Sequence, residues 1–362
     1  MMMTTARLMD DPKDYVRLGV NPEHIETWED GRRSTSAKGM WEWWYFDAIL
    51  DDGTKVVIQF FTKSGAHLYS GKDHPRFTIK VTLPDGTEYM REPKFQVSEA
   101  SWGERQCDVR YAAHRFSGDL KDYDIHVEPI DGLGADLHLH SLSKPYRPGS
   151  AYFEFGSPDR FYTWFCAVPK GEVSGALTID GKRVEAHGYG YHDHQWGNVN
   201  FLKEWNHWVW ARQSFDDCSM LVFDMVANEK MGHARFPIVF IQDENGDLIF
   251  ENTRNVECEV LEDYHDEVSE KDYPKAIHYV FRNDGVTADY TLRMNEIIEC
   301  NGRNNLPWIK RTVAGLNGLD PAYTRYSATG DLILTTDDDR MERSGNLIYE
   351  FMYPGATYKG LM

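Results

Sequence analysis

Tight-turn dipeptides punctuate this chain at intervals that leave room for little except strands. Asp52-Gly53 separates DAIL from TKVVIQFFT, Asp85-Gly86 separates RFTIKVTL from TEYM, and Asp180-Gly181 separates SGALTI from KRVEAHGYGY. Asn245-Gly246 lies between FPIVFIQDE and DLIF, and Asp284-Gly285 between AIHYVFRN and VTADYTL. These dipeptides supply the positive φ angles of short hairpin turns, so each is a local instruction for an extended chain to reverse. Residues 76–83, 136–141, 205–214, 220–226 and 347–353 alternate in polarity with the period of a half-buried strand. Helical periodicity is confined to 303–313 and 266–272, and the acidic stretch 262–275 reads as a solvated loop. An all-β, mainly antiparallel fold is predicted.

At 362 residues the chain exceeds one ordinary core. The boundary is expected near 197–203, where a motif dense in His and Trp ends and a new strand series begins. That division gives an N-terminal β domain over 1–199 and a C-terminal one over 200–362, each of a size for a barrel or sandwich. A formal charge of −19 argues against a nucleic-acid partner, which wants a basic face. The N-terminus lacks the apolar run of a signal peptide, and no stretch approaches the roughly 20 apolar residues of a membrane helix. A cytoplasmic protein without a membrane span is therefore expected. The five cysteines are odd in number and show no C-x-x-C pairing, which reads as reduced thiols. There is no G-x-S-x-G elbow and no Walker loop, and GLGADLH lacks the full nucleotide fingerprint. No cofactor is expected.

Two stretches carry the candidate chemistry. In WEWWYFD (41–47), extended geometry puts Trp41, Trp43 and Tyr45 on one face and Glu42, Trp44 and Phe46 on the other. That is either a strand buried on both sides or a wall for an apolar ligand, with Glu42 as polar anchor. In HGYGYHDHQWGNV (187–199), His192, His194 and Trp196 would share one face, and Tyr191, Asp193 and Gln195 the other. A second His-x-His pair, His138 and His140, and the later His207 raise a metal alternative. If those strands were neighbours, four imidazoles could surround a zinc. The acid–base reading needs fewer coincidences. A carboxylate or imidazole desolvated among Trp and Tyr shifts toward neutrality and becomes a usable proton donor or acceptor. Asp193, His194 and Asp224 (in the apolar LVFDMV) fit that description, with a hydrogen-bonded structural Asp as the competing reading of Asp224.

WEWWYFD, GYGYHDHQWGN and WNHWVWARQSFDD, in this order and spacing, resemble the lipocalin-like family of carotenoid 1,2-hydratases and AttH-type proteins, whose relatives include fungal Diels–Alderases and kievitone hydratase. The resemblance implies two consecutive lipocalin-like (calycin-like) antiparallel β-barrel or sandwich domains with an apolar pocket at or near their junction. It also implies cofactor-free hydration, isomerisation or cyclisation of a hydrophobic terpenoid or polyketide. It singles out His194 and Trp196 of the D-H-x-W-G element as catalytic, together with a downstream strand aspartate matched here by Asp224. In the mechanism so expected, Asp224 or Asp193 protonates an alkene or enone and His194 orients it or accepts a proton. Trp43, Tyr45 and Trp196 stabilise developing positive charge. Trp41, Glu42, Tyr191, Trp208 and Trp210 complete the expected substrate contacts. Two other readings stand beside this one: a lipocalin-like binder without chemistry, and a metal-dependent enzyme ligated by His192, His194, His138 and His140.

Overall fold

The computed structural model describes residues 5–302 and 320–355. All five turn dipeptides fall between paired antiparallel strands. At Asp180-Gly181 the two φ angles are 50° and 74°, and at Asp284-Gly285 they are 46° and 80°. Both central residues are left-handed, the geometry whose twist matches that of the strands it joins.

The chain divides into two compact units, one over Leu8–Val199 and one built on the residues from Asn200 onward. In the middle of the first unit's sheet, the strands Trp41–Leu50, Lys182–Gly197 and Phe161–Ile179 lie side by side. The two motif stretches are thereby paired residue against residue, Tyr45 opposite Asp193 and Trp44 opposite His194. Alternate side chains supply one core: Trp44 and Phe46, Val56, Ile58 and Phe60 of Lys55–Phe61, and Phe77, Ile79 and Val81 of Arg76–Thr82. The second unit holds a nine-stranded sheet with its own core, rich in buried tyrosine (Tyr279, Tyr290, Tyr326, Tyr349). No helix among the described residues is long and apolar enough to cross a membrane. The five cysteines are free thiols.

The secondary structure departs from sequence expectation in two places. Residues 262–275 form no loop, and 266–272 no helix: Val256–Asp266 and Lys271–Asn283 are paired strands. Their turn is held by the Asp266 carboxylate, which accepts from the Ser269 amide and hydroxyl, both at 2.6 Å. The acidic side chains mark an edge strand, where charge both solvates the exposed face and discourages pairing with another chain. Pro12–Leu18 is a short helix that periodicity did not predict, with Pro at its first position, where the missing N–H costs nothing. The stretch 303–313 lies outside the described residues.

The glycines of HGYGYHDHQWG are explained by close backbone approach. A Cβ on Gly188 would lie 2.3 Å from the Ile49 carbonyl oxygen and 2.6 Å from the Leu50 Cα. One on Gly190 would meet Val173 at 2.7 Å and the Asp47 carbonyl oxygen at 2.9 Å. Gly188→Ala therefore forces two paired strands apart and should lower folding stability by about 2 kcal/mol. A denaturant titration giving a wild-type midpoint would mean that the sheet has slack there.

Candidate active site

Strand alternation splits the central motif as its sequence predicts. On the core face, His192 and His194 are fully buried and meet two carboxylates that are also buried, Asp30 and Glu42. His194 Nε2 lies 2.9 Å from Glu42 Oε1, and its Nδ1 faces Asp30 Oδ1 at 3.3 Å. That second contact is an ion pair without a hydrogen bond, and neither atom has a hydrogen-bond partner. His192 Nε2 lies 3.1 Å from Asp30 Oδ2 and Nδ1 2.8 Å from the Tyr45 carbonyl. The Tyr123 hydroxyl donates to Asp30 Oδ2 at 2.6 Å. Glu42 also accepts from the Arg33 and Ser34 amides and the Ser34 hydroxyl. The His194 ring stacks on Trp44 (4.6 Å between centroids) and touches Trp196, whose indole N–H donates to the Tyr152 hydroxyl.

Asp30 arrives on a single 3-10 turn, Thr27–Asp30, anchored where Arg147 grips the neighbouring Glu29 at 2.7 Å. Burial alone would raise the Asp30 carboxyl, but the imidazoles of His192 and His194 outweigh it and hold the group well below the usual carboxylate range. Burial disfavours charge on His194 as well, yet its contacts with Asp30 and Glu42 prevail and raise it above an ordinary imidazole. The hydrogen-bond partners of both rings are acceptors, so the ring nitrogens that meet them are the donors. This is a closed cluster of two imidazoles and two carboxylates. Glu42 is committed to it, which corrects the expectation of Glu42 as a substrate anchor.

The opposite face is built differently. Asp193 is buried, and every side chain hydrogen-bonded to it is neutral: Tyr191 O–H at 2.9 Å, Trp164 Nε1–H at 3.2 Å and the Gln195 amide at 3.1 Å. Tyr162 donates to Gln195 Oε1 at 2.8 Å, which turns the amide so that its NH2 points at the carboxylate. Burial pushes the Asp193 carboxyl up to about 6, against the lowering effect of those hydrogen bonds. Around it stand Trp41 stacked on Trp43 (4.5 Å), and Tyr45 edge-on to Tyr191 (6.3 Å). Trp43, Tyr45 and Gln195 are only half-buried. A desolvated carboxyl near neutrality, bordered by partly open aromatic rings, can give or take a proton at an apolar molecule.

This geometry revises several expectations. Asp193 and His194 occupy opposite faces of one strand, so they cannot serve the same substrate as acid and orienting base. Trp196 is likewise on the face away from Trp43 and Tyr45. Asp224 belongs to the second unit, where Arg235 clasps both of its oxygens at 2.9 and 2.6 Å and Tyr279 adds a third contact. That is the structural aspartate of the competing reading. Trp208 and Trp210 are half-buried on Trp205–Ser214 in that unit. The zinc quartet is overturned. Strand Phe161–Ile179 runs between the two His-x-His pairs, and His138 and His140 point to solvent while His192 and His194 sit in the core. His207, in the second unit, is buried beside Phe351, and burial moves it down to about 4. Sequence reasoning missed Asp30, Tyr123, Trp164 and Tyr162.

A model of the Diels-Alderase-like family matches residues 23–294. The chain is 25% identical over 217 residues to a hydroxyneurosporene dehydrogenase of Chlorobaculum tepidum, a match covering 52% of this chain and 57% of that protein. It is 26% identical over 204 residues to a quinolone epoxide rearrangement protein of Penicillium thymicola, covering 51% and 55%. The chain thus spans about half the length of the curated relatives it matches. Among solved structures, an AttH-type protein of Nitrosomonas europaea superposes with a TM-score of 0.58 at 14% identity, over 92% of this chain and 97% of that one. At that identity the likeness is one of fold, and it makes the fold lipocalin-like.

Proposed function

Because the chain belongs to the Diels-Alderase-like family, we propose that it is an enzyme that hydrates, isomerises or cyclises a hydrophobic polyketide- or terpenoid-like molecule without a cofactor. The observation that carries this reading is Asp193, a buried carboxyl near neutrality hydrogen-bonded by neutral side chains alone and flanked by the half-buried rings of Trp43 and Tyr45. In the proposed chemistry, the protonated carboxyl delivers its proton to an alkene or carbonyl. The aromatic faces shelter the positive charge that develops and hold the chain in a reactive conformer. Capture of water then gives a hydrate, loss of a different proton an isomer, and internal attack a ring, and in each case Asp193 recovers a proton from the product-forming step. Tyr191, Trp164 and Gln195 fix the carboxyl. His194, Asp30 and Glu42 act from the other face, as positioning residues that keep the strand in register.

The test uses organic extracts of the source cells with the gene intact and deleted. Adding the purified protein alone to the deletion extract should consume one lipophilic compound and yield either an isomer of equal mass or a product one water heavier. A compound that is retained by the protein and recovered unchanged would make it a carrier and overturn the catalytic reading.

A further inference from the structure

A second set of converging ligands lies several strands away from Asp193, on the solvent side of the adjacent strands Asp122–Ile130 and Leu133–Ser141. Antiparallel register sets His138 opposite Asp124 and His140 opposite Asp122. Because alternate residues share a face, all four side chains project together. His138 Nδ1 lies 3.0 Å from Asp124 Oδ1 and donates to it, so Nε2 is the nitrogen that an incoming cation would take in exchange for its proton. Nε2 in turn faces Asp122 Oδ1 at 3.2 Å, and His140 Nδ1 faces the same oxygen at 2.7 Å. The three donor atoms, two imidazole nitrogens and one carboxylate oxygen, all lie within 4.8 Å of one another.

We infer that Asp122, His138 and His140 form a binding site for a divalent transition-metal ion of the zinc type, with Asp124 as the carboxylate that orients His138. Ligand bonds of about 2.0–2.1 Å in a tetrahedron place neighbouring donors about 3.3 Å apart. His138 Nε2, at 3.2 Å from Asp122 Oδ1, is already close to that spacing, and His140 Nδ1, at 2.7 Å, has to move away by about 0.6 Å. Two nitrogens and a carboxylate suit zinc, nickel or copper better than calcium or magnesium, which want oxygen alone. The carboxylate–histidine pair formed by Asp124 and His138 is the arrangement that fixes the tautomer of metal-bound imidazoles elsewhere. All three ligands are between 42% and 48% exposed, so an ion can reach them and water can complete the shell. With an ion bound in place of the imidazole protons, the carboxylates of Asp122 and Asp124 would balance its divalent charge. His126 lies in the same ladder and provides a contrast. Its ring contacts Glu128 at 3.1 Å and Asp136 at 3.5 Å on its two separate nitrogens, and among the described residues no second imidazole converges with them.

Isothermal titration of chelator-stripped, tag-free protein with zinc chloride tests this directly. One zinc per chain is expected in wild type and in His126→Ala. Affinity should fall at least about tenfold in His138→Ala and in His140→Ala, and by about tenfold in Asp124→Asn. Cobalt(II) titration should give visible absorption bands of a nitrogen-containing site that the two histidine variants lose, with circular dichroism checking that each stays folded. Undiminished binding in the folded double variant His138→Ala/His140→Ala would overturn the assignment, as would no saturable binding of zinc by wild type.

Discussion

Asp30→Ala should remove about 3–5 kcal/mol of folding stability, enough to unfold a large share of the protein at ordinary temperature. The substitution deletes the one carboxylate that faces His192, His194 and Tyr123 together, in a place where these side chains are almost wholly excluded from water. Three polar groups would lose their partner at once, and two imidazoles would keep only Glu42 as a counter-charge. The pH dependence has a definite sign. Asp30 is depressed below the ordinary aspartate value of 3.8, so its contribution is complete above that pH and is lost as pH falls through the folded value. His194 is raised above the ordinary imidazole value of 6.5, so its contribution is complete below that pH and is lost as pH rises through the folded value. The gap between wild type and Asp30→Ala in urea denaturation should therefore be widest between about pH 4 and 6.5, narrowing on both sides. Asp159, paired with Arg17 on an open surface, is the control, and Asp159→Ala should leave the midpoint almost where it was. A wild-type midpoint for Asp30→Ala would show that the cluster does not hold this face together.

Much of this was readable in the sequence because β structure writes itself in short-range code. Asp180-Gly181 fixes a hairpin, and alternation then assigns His192, His194 and Trp196 to one face and Tyr191, Asp193 and Gln195 to the other. Counting back from the same turn also puts Trp164 on the Asp193 face, since the irregularity near Val168 shifts the register by two residues before Cys166 is reached and so preserves the face. Asp30 was not legible, because it lies outside any strand, in a single turn whose position depends on Arg147 more than a hundred residues away. Asp224 misled for a related reason. A carboxylate in an apolar strand signals a need for a partner, but strand periodicity does not say whether that partner is a substrate or Arg235 on the next strand. The two His-x-His pairs illustrate the same limit, since spacing reports which side chains share a face and is silent about which strands are neighbours.

Asp193→Asn should separate function from stability. If Asp193 transfers the proton, the amide loses that capacity, and turnover should fall about 100-fold or more while the hydrogen bonds from Tyr191 and Trp164 keep an oxygen to bind. Stability should move the opposite way. Burial pushes the folded carboxyl up to about 6 from the ordinary 3.8, so the native state binds this proton more tightly than the unfolded chain does. The associated stability is present at low pH and is lost as pH rises from about 4 to about 6, because above that range an ionised carboxylate must be kept among Trp and Tyr. The shift corresponds to about 3 kcal/mol. Asparagine carries no such charge, so above pH 6 the variant should be the more stable protein by up to that amount, and the two stability curves should converge below pH 4. The turnover of wild type should change with pH around 6 in a limb that the variant lacks. Full activity in Asp193→Asn would remove the proton-transfer role. A loss of activity together with a loss of stability at neutral pH would instead make Asp193 a structural anion, one whose surrounding donors require the negative charge in order to stay in place.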